Sequence, residues 1–96
     1  MTLPNKEKQM LAELFAEIIK LETVEECEIF FDDLCTIKER LSMAQRLKAA
    51  KMLIDGKTYN EVIEETEISS ATLARVSKCV RYGDGGYVAV LNKKNK

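Results

Sequence analysis

A threonine followed three residues later by a glutamate recurs at three places in this chain, each time before a stretch with apolar residues at helical spacing. The pairs are Thr23 with Glu26, Thr36 with Glu39, and Thr58 with Glu61. In such a capping box, the amide of the glutamate donates a hydrogen bond to the threonine oxygen, and the glutamate side chain accepts one from the threonine amide. Because these amides have no partner inside a helix, the three pairs predict three helix N-termini.

Apolar periodicity extends this prediction over most of the chain. One proline and four glycines among 96 residues leave few breaks, and Gly56 suits the left-handed position that ends a helix. The sequence therefore predicts an all-α fold in a single domain, residues 1–96. The helices are expected at about 6–21 (preceded by Asn5), 23–35, 36–55, 59–66 and 69–81, followed by one or two helical turns after Gly83 and a basic end.

Charge is distributed unevenly along the chain. Residues 1–39 contain four Lys/Arg and ten Asp/Glu, a net charge of −6, whereas residues 40–96 contain eleven and six, a net charge of +5. A basic C-terminal half indicates a polyanionic partner, and the acidic half is expected to lie away from that partner. Ordinary solvated charged faces are the alternative interpretation.

Several classes of function lack the residues they need. The chain has no histidine, and Cys27, Cys35 and Cys79 show no Cys-x-x-Cys spacing, so we expect no metal site. It also has no glycine-rich phosphate loop and no nucleophile with a neighbouring base, so we expect neither catalytic residues nor enzymatic activity. The cysteines are expected to be small buried apolar residues of a reducing cytosol. With no signal-peptide pattern and no apolar run of about 20 residues, the predicted location is cytoplasmic, without a membrane partner.

Residues 58–82 have the pattern of a helix-turn-helix unit. Ile68, Leu73 and Val76 are expected to pack the second helix across the first, which turns small and basic side chains outward. The predicted DNA-binding residues are Ser69, Ser70, Ala71, Thr72, Arg75 and Lys78. Small side chains allow close approach to base edges and phosphates, the N-terminus of a helix attracts anions, and Arg75 reaches guanine or phosphate.

Two positions depart from the usual form of this unit. Glu67 occupies the turn position that most helix-turn-helix units give to glycine, and a left-handed conformation there costs about 1–2 kcal/mol. Ile63 replaces the alanine common inside the first helix, which would separate the two helices slightly. A structural hairpin within a helical protein-interaction adaptor is therefore the alternative to a DNA-binding unit.

The segments "LCTIKERLSMAQRLKAAKMLIDGKTYNEV" and "EISSATLARVSKCV" resemble the Trp repressor and its short relatives of the YerC/YecD type. The segments "LETVEECEIFFDDLCT" and "RYGDGGY" resemble the YerC/YecD branch in particular. This resemblance implies an interlocked homodimer whose N-terminal helices, residues 6–35, form the dimer core. It also implies a transcriptional regulator, a repressor, that binds a palindromic operator in double-stranded DNA.

The same resemblance implies a possible effector pocket. In the Trp repressor, tryptophan is held by two arginines that match Arg46 and Arg75 here, with a threonine that matches Thr36 nearby. The simpler roles are a helix cap for Thr36, a salt bridge to an acidic neighbour for Arg46, and DNA contact alone for Arg75. The glycine after the second arginine is Val76 in this chain, and its methyl groups would fill space that an indole ring needs. We therefore expect no cofactor: L-tryptophan is not the effector, and a smaller ligand or none is favoured.

Overall fold

The structure, a computed structural model, describes residues 3–93. Within this range the chain forms helices and no strand: α1 Asn5–Ile18, α2 Val24–Leu34, α3 Ile37–Ile54, α4 Tyr59–Thr66, α5 Ser70–Tyr82 and α6 Gly86–Leu91. The predicted all-α fold and the helical turns after Gly83 are thereby confirmed. The predicted basic end falls largely on residues 94–96, which lie outside the described residues.

The first helix differs from its prediction at both ends. Pro4, rather than Asn5, is the N-cap residue, and its carbonyl accepts the first helical bond from the Lys8 amide at 3.0 Å. The helix ends at Ile18 because the amides of Lys20 and Leu21 donate to carbonyls only three residues back, at 3.1 and 3.0 Å. This tighter turn closes the helix before Leu21.

Of the predicted capping boxes, the one at α4 forms completely and the one at α2 forms in part. At α4, the Glu61 amide donates to the Thr58 hydroxyl at 3.2 Å and the Thr58 amide donates to the Glu61 carboxylate at 2.9 Å. Hydrogen bonds from the backbone amide and then the side chain of Thr58 hold the pKa of Glu61 below its ordinary value. At α2, the Glu26 amide donates to Thr23, but the Glu26 carboxylate accepts from Glu22. Helix α3 begins directly after Thr36, and its capping box stays a prediction.

The end of α3 is a two-bond C-terminal cap. Gly56 has φ +90°, the Lys57 amide donates to the Met52 carbonyl at 2.9 Å, and the Gly56 amide donates to the Leu53 carbonyl at 3.1 Å. These two bonds satisfy carbonyls that the helix leaves open, and the left-handed glycine turns the chain toward α4. The predicted role of Gly56 is confirmed.

The chain divides into two compact units, with the boundary between Thr36 and Ile37. In the N-terminal unit, α1 and α2 contain no buried residue. The prediction of one domain over residues 1–96 stays a prediction.

The C-terminal unit holds the hydrophobic core. Ala49 and Ala50 of α3 are fully buried, and their small side chains let α4 and α5 approach α3 closely. The other buried apolar residues are Val62, Ile68, Leu73 and Val76, with Tyr87 and Leu91 of α6 packed at the edge. This core fixes the position of α5 relative to α3.

The expectation that the cysteines are buried is wrong for Cys79. All three cysteines are free thiols, but only Cys27 and Cys35 are half-buried, whereas Cys79 is exposed. The reason is its place on α5, on the side of Val76 that borders an open cleft. Across residues 3–93, no helix is long and apolar enough to cross a bilayer, and the same residues bring no three metal-ligating side chains together.

Candidate nucleic-acid interface

The turn between α4 and α5 is built from a left-handed residue and one bridging hydroxyl. Glu67 has φ 60° and ψ 19°, and its amide donates to the Ile63 carbonyl at 2.8 Å. The Thr66 hydroxyl donates to the Val62 carbonyl at 2.7 Å and accepts from the Ile68 amide at 3.2 Å. Glu67 thus takes the conformation in which glycine would be unstrained, as the sequence suggested.

Three apolar side chains hold α5 in place, and all three were predicted. Ile68, Leu73 and Val76 are 4%, 0% and 2% exposed, respectively. The Gln45 side-chain amide of α3 also donates to the Thr66 carbonyl at 3.1 Å, which ties α3 to the end of α4. The two helices of the unit and the turn between them are therefore fixed to one core.

The N-terminus of α5 is capped by Ser69. The Ser69 hydroxyl accepts a hydrogen bond from the Thr72 amide at 3.2 Å and donates one to the Thr72 hydroxyl at 2.9 Å. The oxygen of Thr72 is therefore used as an acceptor, but its own proton remains available for an outside acceptor. Ser69 therefore acts as the N-cap of α5, and its hydrogen bonds fix the orientation of the Thr72 side chain.

The remaining predicted DNA-binding residues share the solvent face of α5. Ser70, Ala71, Arg75 and Lys78 are exposed, and Thr72 is half-buried where this face meets a cleft. The structure therefore brings together the six residues that the sequence selected. Their contact with DNA stays a prediction.

A cleft beside α5 contains two of the three predicted effector residues. This Arg46–Arg75 cleft has a volume of about 240 Å³. Its lining residues are Ser42, Arg46, Thr72, Arg75, Val76, Cys79 and Tyr87. An Arg46 guanidinium nitrogen donates to the Ser42 hydroxyl at 2.9 Å. Thr36 belongs to the N-terminal unit, so its part in an effector pocket stays a prediction.

The sequence missed Cys79 and Tyr87 in this cleft. Cys79 follows Arg75 by four residues on α5, so helical spacing alone could have placed it beside Arg75. Tyr87 reaches the cleft because α6 packs against α3 and α5. No short sequence pattern signals that packing.

A second cleft, the Lys57–Arg81 cleft, lies on the other side of α5 and has a volume of about 360 Å³. The end of α3, the turn after it, the start of α4 and the last turns of α5 form its walls. Lys57, Ser77 and Arg81 provide its cationic and hydroxyl groups, and Thr58 and Tyr59 also line it. No pattern in the sequence predicts this cleft.

A family model, a relative in sequence and solved structures all match this chain over most of its length. The family model for the Trp repressor protein matches residues 9–95. The uncharacterized protein YerC of Bacillus subtilis (strain 168) is 48% identical over 83 residues, which are 86% of this chain and 80% of that protein.

Two solved structures are similar over nearly the whole chain. A TrpR like protein from Eubacterium eligens ATCC 27750 has a TM-score of 0.85 and 41% identity, covering 97% of this chain and 100% of that one. A structure from Staphylococcus aureus has a TM-score of 0.85 and 40% identity with the same coverage.

Proposed function

This chain belongs to the Trp repressor family, in its YerC type, and on that premise we propose that it is a transcriptional repressor that binds a palindromic operator as a homodimer. Family membership indicates a DNA-binding regulator, and the operator, the repression and the dimer are our proposal. A regulator of this kind needs no catalytic group.

The exposed face of α5 is the observation that carries the proposal. Leu73 and Val76 are buried on one side of α5, and Ser70, Ala71 and Lys78 are exposed on the other. None of the six candidate DNA-binding residues is acidic. Side chains this small let the helix backbone approach the base edges closely. Arg75 and Lys78 supply the positive charge that neutralises phosphates.

Exposed apolar side chains in the N-terminal unit support the homodimer. Phe15, Ile19 and Val24 are 57%, 82% and 69% exposed, although large apolar residues at helical spacing normally pack against something. In the C-terminal unit, Ile37 and Leu41 at the start of α3 are also exposed, at 57% and 56%. A second copy is the partner that would cover identical faces on both chains, and two-fold symmetry would supply the paired recognition helices of a palindrome.

The effector cleft supports a regulator that does not use L-tryptophan. Val76 lines the Arg46–Arg75 cleft with the arginines, and the cleft volume of about 240 Å³ lies below the roughly 300–1,000 Å³ typical of ligand pockets. Within residues 3–93, the Arg46 guanidinium donates to the Ser42 hydroxyl. We propose a smaller ligand or no ligand at this site.

Two substitutions on α5 test whether this helix recognises sequence. Thr72→Ala removes a positioned hydroxyl, and we expect it to weaken binding to the selected operator about fivefold while random DNA is bound as before. Lys78→Ala removes a phosphate contact, so it should weaken both DNAs and reduce the slope of log K against log salt by about 0.9. Binding titrations at several salt concentrations on both duplexes measure these effects.

Thr72→Ser is the matched control, because it keeps the hydroxyl and should retain most of the operator affinity. Equal losses on operator and random DNA for both alanine variants would contradict sequence recognition by α5. If the wild-type chain bound no DNA but captured a protein through its apolar N-terminal faces, the adaptor interpretation would replace this proposal.

A further inference from the structure

The Lys57–Arg81 cleft is lined by two cationic side chains, by hydroxyl groups and by no acidic residue. Within residues 3–93, neither Lys57 nor Arg81 forms a salt bridge. Glu61, in the first turn of α4, lies outside the lining, and the charge of Lys57 adds to the hydrogen bonds from Thr58 that lower the pKa of Glu61. The lining of the cleft is therefore cationic, and Glu61 outside it partly balances the charge of Lys57.

Ser77 adds a hydroxyl group to the same cleft. The residue as a whole is only 5% exposed, yet it lines the cleft. Its hydroxyl is not one of the buried side-chain atoms that lack a hydrogen-bond partner. A serine hydroxyl can donate one hydrogen bond, so in a cationic cleft it suits an anion.

Helix geometry places this cleft at one border of the proposed DNA-binding face. Successive residues turn by about 100° around an α-helix, so Arg75 and Arg81 lie about 60° to opposite sides of Lys78. Arg75 lines one cleft and Arg81 lines the other. The solvent face of α5 therefore has an arginine on each flank.

The arginines on the two flanks of α5 match the geometry of the DNA major groove. A helix inserted in the groove lies between two phosphate backbones, and phosphate contacts on both sides fix its register and angle. A guanidinium and an ammonium both donate to phosphate oxygens, and a serine hydroxyl adds a neutral donor.

We propose that Lys57, Ser77 and Arg81 together bind one backbone phosphate of the DNA strand that borders the α4 side of the recognition helix. This inference rests on the proposed function, since it needs the solvent face of α5 in the groove. Arg81 and Lys57 supply the charge, and Ser77 supplies a donor that fixes the position of the phosphate. The cleft thus sets the depth and register of α5 without contacting a base.

The salt dependence of DNA binding distinguishes the charged contacts from the neutral one. For the full-length chain, we expect Lys57→Gln and Arg81→Gln each to reduce the slope of log K against log salt by about 0.9, on operator and random DNA alike. Ser77→Ala should weaken both duplexes several-fold while the slope stays unchanged, because no counterion is released by a hydroxyl. Circular dichroism checks that each variant keeps its helical fold.

Lys38→Gln is the matched control for charge loss, since Lys38 is exposed on α3 and lines neither cleft. Slopes for Lys57→Gln and Arg81→Gln that equal the Lys38→Gln slope, with DNA binding otherwise normal, would overturn the phosphate site alone. Absence of DNA binding by the wild-type chain would overturn it together with the proposed function. Saturable binding of inorganic phosphate to the cleft, with DNA binding unaffected by the substitutions, would assign the cleft to a free anion and also overturn it.

Discussion

Val76 is the residue that most directly limits what the Arg46–Arg75 cleft can hold. It is 2% exposed and lines the cleft beside Arg75, so its methyl groups occupy space between the core and any ligand. We expect calorimetric titration with L-tryptophan to give no binding to the native chain and measurable binding to Val76→Gly. Relief of overpacking of about 1–3 kcal/mol corresponds to one or two factors of ten in affinity.

Val76→Ala is the control for Val76→Gly, because a glycine inside α5 costs about 1 kcal/mol of helix stability in addition to the lost packing. The alanine variant should gain a weaker affinity than the glycine variant. Tight binding of tryptophan by the native chain would falsify the blocked-pocket account. No gain by two folded variants would show that Val76 is not the obstacle.

At the scale of elements, the α4–α5 turn contains a residue with backbone strain, and a substitution can relieve that strain. Glu67 has φ 60° and is exposed, and it is the one non-glycine residue with positive φ in the described chain. Glu67→Gly should raise the free energy of unfolding by about 1 kcal/mol, because glycine adopts this conformation without a Cβ clash. The shift is measured by thermal or urea unfolding at fixed protein concentration.

Glu64→Gly is the corresponding control inside α4, where the residue is exposed and helical. There we expect a loss of about 1 kcal/mol, because glycine is a poor helix former. If Glu67→Gly destabilised the chain as much as Glu64→Gly does, the strain assigned to the turn would be absent.

At the scale of the whole molecule, the exposed apolar side chains of α1 and α2 are the proposed homodimer interface. We expect sedimentation at micromolar concentration to give a species of twice the chain mass of 10.9 kDa. Phe15→Glu places a charge in the proposed interface, and it should shift the equilibrium toward monomer or unfolded chain because a buried unpaired charge is costly.

Tyr82→Glu is the matched change outside residues 6–35, since Tyr82 is 80% exposed at the end of α5. It should leave the sedimenting species unchanged. A folded wild-type monomer would remove the two-fold model of operator binding, since two rigidly related recognition helices require two chains.

Local signals in the sequence were sufficient to predict the helices. The Thr58–Glu61 box and the turn at Gly56 act through hydrogen bonds between residues at most five apart, so the boundaries of α4 and the end of α3 follow from short segments. The buried anchors Leu73 and Val76 also follow from helical periodicity, whereas Ile68 lies in the turn before α5. The predicted start of α1 differs by one residue because asparagine is a preferred N-cap residue, whereas the structure has Pro4 at that position.

Only the tertiary structure decided which side chains share a cleft. Tyr87 lines a cleft with Arg46 and Arg75 because α6 packs on α3 and α5, and Ser77 lines a cleft with Lys57 because α5 packs on α3 and α4. These residues are separated along the chain, and the contacts between them depend on how large and small side chains fit in the core. The sequence therefore determined the elements and the exposed face of α5, whereas helix packing determined the clefts on the two flanks of that face.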